Sequence, residues 1–444
     1  MRALLVTYYF PPAGGGGVQR VLGWCRHLPR SGVEVTVIAP REPHWVNHDT
    51  TLVIPGETAV VRTSDPSPAA VIPRQALAEV RGLRRLIRRI ALQPRRFAIP
   101  DIHRRWRGPA VAAALGHARA LAAAGEQPFD VVISSSPPET THLIAHDIAA
   151  KLGIPWIADF RDSWLDLPHL RMDRWSVRLK HARNRRLATR VLAHASAATT
   201  VSEPLAADLR RRHPHLDVTV IENGIEIAEV QRAHARAEGF RDAGSFVIAY
   251  TGNFFGRQSA MSFILGLDRA LQLEPQLADD LLVRLIGGLK PVELAAIAER
   301  TALQQLVEHV GFLRHDDVLA HQKAADLLML YVAPGAGSQG VFTGKVFEYI
   351  AARRPVLALA PADNVAAQLL AEVGATKASG GVRVDPDDVE HIADALVDAW
   401  RIWRDAGGRD GARTADIDVP AAAIERMDRA AGASRLANLV RELS

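Results

Sequence analysis

One cysteine, Cys25, stands among 444 residues. It has no second thiol in the chain to bridge with, which excludes a disulfide scaffold and fits a reducing compartment. No run of 18 uncharged apolar residues occurs, so no transmembrane helix is expected. The opening stretch Met1-Arg2-Ala3-Leu4-Leu5-Val6-Thr7 meets Pro11-Pro12 too early to read as a signal-peptide core, and a cytoplasmic location is the expectation. No repeat of about 20–50 residues is visible, against a solenoid. Lysine is scarce: six (Lys151, Lys180, Lys290, Lys323, Lys345 and Lys377) beside 48 arginines, so each lysine is a position to inspect.

What is present is ordinary for a globular chain: 48% apolar and 23% charged residues exclude disordered and collagenous classes. At about 150 residues per domain, the length suggests two to three domains. The net charge of +5 is unevenly spread. Arg74 to Arg107 holds eleven arginines against Glu79 and Asp101, a local +9, leaving −4 for the remainder. Local basicity of this kind points to a polyanionic partner or surface. Leu77, Val80, Leu83, Ile87 and Ile90 share one helical face there, with Arg81, Arg84, Arg85, Arg88 and Arg89 on the others. Such a helix suits an anionic bilayer; a helix packed on the first domain with a solvated arginine face is the other reading. Nucleic acid is not expected, because neither interleaved aromatics nor a recognisable binding module accompanies the charge. A second basic run, Arg171 to Arg190, extends the same pattern.

The chain opens as strand (Ala3–Tyr9), turn-rich loop, helix through Val18, Val21, Leu22, Cys25 and Leu28, then strand (Val33–Ala39), a βαβ unit that implies parallel strands. Phe129–Ser134, Ile154–Asp159, Ala198–Ser202 and Val218–Ile221 add strands. Residues 226–244 read as a connection, after which Phe246–Thr251, Leu282–Ile286, Val307–Val310, Leu327–Tyr331 and Val356–Ala360 restart the pattern. Two βα arrays predict an α/β protein of two doubly wound sheets, with ligands outside the carboxyl ends of the strands. Ala421–Leu443 reads as one amphipathic helix. The expected division is 1–225, 240–415, and a segment 416–444 returning to the first domain.

Four strand-end loops carry chemistry. Gly14-Gly15-Gly16-Gly17 precedes a helix and exposes backbone N–H groups at its positive end, suited to phosphate or a closely approaching sugar. It is not the dinucleotide fingerprint, since Gln19 and Arg20 stand where a third glycine is needed. Ser134-Ser135-Ser136-Pro137-Pro138-Glu139-Thr140 reads equally as helix capping or as a binding loop. Asp159-Phe160-Arg161-Asp162-Ser163-Trp164 is either a buried Asp–Arg clasp or a pair of carboxylates of which one orients a hydroxyl or acts as base. In Gly340-Val341-Phe342-Thr343-Gly344-Lys345-Val346-Phe347-Glu348-Tyr349, Lys345 and Glu348 share one face near a helix start, where a diphosphate and ribose hydroxyls fit. Arg257, after Gly252-Asn253, is placed to stabilise a departing diphosphate. Asp416-Ile417-Asp418 lies in a loop-like stretch beyond the last strand, and no metal motif is assigned.

Together these loops resemble the retaining glycosyltransferases of family 4, which have the GT-B architecture. The likeness spans nearly the whole chain. It rests on Tyr9-Phe10-Pro11-Pro12 with the glycines, Ile157 to Trp164, Val201-Ser202-Glu203, Glu222-Asn223-Gly224 and Tyr250-Thr251-Gly252-Asn253. The most specific element is Gly344-Lys345-Val346-Phe347-Glu348-Tyr349 through Val356. The resemblance implies two Rossmann-like domains facing across a cleft, with a nucleotide-sugar donor held by the second and an acceptor by the first. It implies Glu348 on the ribose, Arg257 and Lys345 on the diphosphate, and donor contacts from Gly15, Gly16, Asn253, Gly287, Leu313, Phe342, Thr343 and Gly344. Asp159, Arg161 and Asp162 fall on the catalytic side, and Ser136, Pro137, Asp101 and Trp106 on the acceptor side.

Gly340 stands where the family pattern has its first glutamate, so sugar contacts are expected from backbone amides of 340–343. The resemblance implies no cofactor and no metal. UDP-sugar is the expected donor, with GDP- and TDP-sugars as alternatives. The acceptor is lipid-linked or a small molecule, met at the inner membrane face through Arg74–Arg107. Two other readings stay open: a GT-B nucleotide-sugar epimerase, and a catalytically silent GT-B binding or coupling protein.

Overall fold

The computed structural model describes residues 1–41, 49, 52–67, 98–165, 174–254, 256, 258–335, 338–340, 342–377 and 379–444. The amphipathic segment Leu77–Ile90, most of Arg74–Arg107, the start of Arg171–Arg190, and Arg257 lie outside these. The chain divides into two compact units, Met1–Glu222 with Arg429–Ser444, and Asn223–Asp428.

In the first unit, seven parallel strands run in the order β3-β2-β1-β4-β5-β6-β7. They are β1 (Arg2–Thr7), β2 (Glu34–Pro40), β3 (Ala59–Thr63), β4 (Val131–Ser136), β5 (Trp156–Phe160), β6 (Ala197–Thr200) and β7 (Val218–Val220). Helices cover both faces, so the central strands are buried on both sides and read as continuous apolar runs instead of alternating ones. The order reverses between β1 and β4, which opens a crevice outside their carboxyl ends. The return helix Arg429–Leu443 packs on the Gly16–His27 helix, joining Ala433, Leu436 and Val440 to Val21, Trp24 and Cys25.

The second unit has six parallel strands ordered β10-β9-β8-β11-β12-β13. They are β8 (Phe246–Thr251), β9 (Leu281–Ile286), β10 (Val307–Gly311), β11 (Leu327–Tyr331), β12 (Val356–Leu359) and β13 (Val382–Val384). Its reversal lies between β8 and β11. The single helix expected over Ala421–Leu443 is two, Ala421–Arg426 and Arg429–Leu443. Met427 interrupts them: its side chain is buried and its carbonyl accepts from Ile225 N–H at 2.9 Å. Residues 416–428 stay with the second unit. The connection 226–244 forms a helix, Ile227–His234, and a 3₁₀ turn, Ala237–Phe240.

Candidate functional site

In the second unit, parallel register brings the carboxyl ends of β8, β9 and β10 side by side, with Thr251 opposite Ile286. The backbone then turns through two glycines. Gly252 and Gly287 have φ of +128° and +119°, a region L side chains rarely adopt. A Cβ on Gly287 would strike the Gly252 carbonyl, and one on Gly252 would lie 2.5 Å from Lys345 Nζ. Asn253 fastens the two loops, its Oδ1 accepting from Gly288 N–H at 2.7 Å. His309 Nε2 lies 2.8 Å from the Gly287 carbonyl. At the end of β10, Leu313 is half-buried, whereas Phe312 is 71% exposed.

The Lys345–Ala352 helix begins after Phe342, Thr343 and Gly344. Val346, Phe347, Tyr349 and Ile350 are buried and fix the helix on the sheet, which leaves Lys345 and Glu348 on its other face, half-buried. The Lys345 ammonium lies 4.0 Å from the centre of the Tyr250 ring, with no hydrogen bond or ion pair among the described residues. Burial lowers its pKa to about 7, opposed by the charge of Glu348. Tyr250 is itself buried with its hydroxyl unpartnered among the described residues, as is Thr343 Oγ1. Glu348 accepts from Gln322 Nε2 at 2.8 Å, and His315 Nε2 stands 3.9 Å from its other oxygen. The arrangement thus combines a buried lysine amine over an aromatic ring, a positioned carboxylate, glycine-lined backbone and an exposed aromatic ring at one set of strand ends. Gly340 is buried, and Val341 lies outside the described residues.

In the first unit, Thr7 faces Ser135, Ser135 faces Asp159 and Asp159 faces Thr199 across β1, β4, β5 and β6. That register makes Asp159 an internal anchor. It is 0% exposed and accepts from Ser135 Oγ at 2.8 Å, Thr199 Oγ1 at 2.7 Å, and Arg20 Nη2 and Nε at 2.7 and 3.2 Å. Its ionic partner is therefore Arg20, not the neighbouring Arg161. Arg161 is buried and spends its guanidinium on the carbonyls of Ser136 (2.9 Å), Pro137 (2.7 Å) and Gly17. Burial lowers its pKa. Asp159 thus ties β4, β5 and β6 to the first helix, and Arg161 ties the end of β4 to the start of that helix; Asp162 is the exposed member of the motif.

The acceptor-side residues separate in the same way. Trp106 is 0% exposed, its Nε1 donating to Thr63 Oγ1 at 2.7 Å and its ring edge-on to Tyr8, so it belongs to the core. Ser136 is buried, and Pro137 half-buried. Asp101 caps the Thr140–Leu152 helix, accepting from Thr140 N–H at 2.8 Å and from its hydroxyl at 2.9 Å. Gly15 and Gly16 open the Gly16–His27 helix with no neighbour that a Cβ would meet. Asp416 pairs with Lys323 at 2.6 Å and Arg354 at 2.8 Å.

Two groups escaped the sequence reading. Glu139, just before the Thr140 helix, has its carboxyl pushed up to about 8 by burial and by the neighbouring Asp101 charge. Lys180 and Tyr9 also feel this cluster. The available signal was its position, a carboxylate closing a strand-end loop. Gln322 had no signal in sequence at all.

This architecture is the GT-B fold. Residues 15–224 match the family model described as a glycosyl transferase 4-like domain. Over its whole length the chain is similar to sucrose-phosphate synthase from Thermosynechococcus elongatus, at 18% identity and a TM-score of 0.61, covering 100% of this chain and 98% of that one. It is similar to Anabaena HepE in complex with UDP, at 16% identity and 0.63, covering 100% of each. It is also similar to the E. coli trehalose-6-phosphate structure bound with UDP-2-fluoro glucose, at 12% identity and 0.57, again covering 100% of each. No curated protein matches the chain by sequence.

Proposed function

We propose that the chain is a retaining glycosyltransferase that moves a sugar from a nucleotide-sugar donor to an acceptor hydroxyl. The observation that carries this reading is Lys345 and Glu348 on one face at the start of one helix, beside the Gly252–Gly287 strand-end pair. Glu348 accepts from the ribose hydroxyls. Lys345, with Arg257, neutralises the diphosphate, a charge that a metal ion would otherwise balance. Phe312 offers a face for the base. The match to a glycosyl transferase 4-like domain and the UDP ligands of the HepE and E. coli structures support a UDP-sugar.

The bond from the anomeric carbon to the diphosphate oxygen breaks. The acceptor oxygen bonds to the same face of that carbon, and its proton passes to the departing phosphate oxygen. Asp159 and Arg161 brace the strand ends on the acceptor side, where Asp162 and Glu139 add two further carboxyls. The acceptor is a lipid-linked or small hydroxyl compound, reached at the cytoplasmic membrane face through the basic segment Arg74–Arg107. Among the described residues no helix is long and apolar enough to cross a membrane.

Incubation with UDP-, GDP- and TDP-sugars, with and without lipid extract, tests the reading through thermal shift and nucleotide release. Acceptor-dependent release is the expected result. A new free sugar formed without acceptor would mean epimerisation, and donor binding without turnover a silent protein.

A further inference from the structure

Gln322 lies in the His315–Ala324 helix and is 0% exposed. Its Nε2 donates to Glu348 Oε2 at 2.8 Å and to Thr251 Oγ1 at 2.9 Å. A carboxylate only accepts, so the amide nitrogen faces Glu348. The amide oxygen, Oε1, then has no partner among the described residues. A buried acceptor without a partner destabilises a fold. Leucine or methionine would fill the same space without that penalty, so packing does not account for glutamine here. What glutamine adds is two N–H donors in one plane, one on a strand end and one on a carboxylate.

Both partners belong to the elements that form the strand-end site. Thr251 closes β8 and its N–H donates to Tyr349 Oη at 3.1 Å, while Tyr349 Oη donates to the Met329 carbonyl at 3.2 Å. Tyr349 follows Glu348 in the helix, so the backbone of Glu348 is tied to β8 through Tyr349 and its side chain through Gln322. A half-buried glutamate left to itself samples several rotamers, and fixing it in advance removes an entropic cost from binding. One oxygen of Glu348 is committed to Gln322; the other, Oε1, accepts no hydrogen bond among the described residues, with His315 Nε2 standing 3.9 Å away.

We infer that Gln322 is a positioning residue for donor recognition: it commits one oxygen of Glu348 to the protein and presents the other to the ribose hydroxyls. Gln322 touches no substrate and acts through Glu348, so the inference rests on the assignment of Glu348 to the ribose. Its consequence is selectivity for ribose over deoxyribose nucleotides.

Calorimetric titration of the full chain with UDP and with 2′-deoxy-UDP tests this. The wild type is expected to prefer UDP by about tenfold or more, the scale of a charge-assisted hydrogen bond. Gln322→Leu is expected to lose most of that preference by weakening UDP much more than 2′-deoxy-UDP. In a Glu348→Ala background the same substitution should have no further effect. Gln322→Glu places a second carboxylate against Glu348, and its preference for UDP should be lost at pH 8 and return towards pH 5, unlike the wild type. A wild type that binds neither nucleotide, or both equally, overturns the ribose assignment itself. A wild type that discriminates while Gln322→Leu, matched in thermal unfolding, discriminates equally well overturns the role of Gln322 alone. Should the leucine variant not fold, a UDP preference retained by Gln322→Glu at pH 8 overturns it instead.

Discussion

At the scale of single residues, the most informative group is Lys345. Its ammonium is held over the Tyr250 ring, with no carboxylate in bonding contact among the described residues, and burial lowers its pKa to about 7 from an ordinary 10.5. Between those values the unfolded chain binds more protons than the folded one, so stability rises with pH across that window. Lys345→Met should flatten this rise in denaturant titrations between pH 7 and 10. A diphosphate bound beside Lys345 favours the charged form. UDP affinity should therefore fall by about tenfold per pH unit above 7, and binding should take up a proton. Calorimetry in buffers of different ionisation enthalpy measures that uptake; no uptake at pH 8 would separate Lys345 from the diphosphate.

At the scale of elements, strand register decides which polar residues serve the fold. Ser135, Asp159 and Thr199 are adjacent because β4, β5 and β6 align them, and Arg20 from the first helix completes the set. Asp159→Ala removes the carboxylate that balances the buried Arg20 guanidinium, and should destabilise the first unit by about 3–5 kcal/mol. Urea unfolding checks this, and UDP binding by the folded fraction should be unchanged if the donor is held by the second unit.

Most strands were legible in sequence because parallel strands covered on both faces are uninterrupted apolar runs. β3 was not, being a half-exposed edge strand, and β13 has only three residues. Lys345 and Glu348 were legible because helical spacing puts them on one face. A buried Asp–Arg pair at Asp159 was legible as one of two readings, but its partner was not, since Arg20 lies 139 positions away. The Gln322–Glu348 bond joins two helices 26 positions apart, and no local pattern encodes it.

At the scale of the whole molecule, the net +5 divides into a +9 stretch at Arg74–Arg107 and −4 elsewhere. Its described end contributes Arg104, Arg107 and their neighbours to a groove of about 620 Å³ that also includes Arg119 and Lys151. Arg107 is partly neutralised by Asp147 at 2.7 Å. Vesicles rich in anionic phospholipid should sediment the protein at low salt, with binding lost as the Debye length shrinks towards 3 Å at about 1 M salt. No sedimentation at low salt would return the arginines to a solvated surface.

The account as a whole turns on the strand ends of the second unit holding a nucleotide through Glu348. Titration of UDP into the wild type and into Glu348→Ala, followed by calorimetry, tests that most directly. The prediction is one saturable site in the wild type, weakened by about 2–3 kcal/mol in the variant, the scale of a lost hydrogen bond to a charged group. Equal affinity in the two proteins would contradict it.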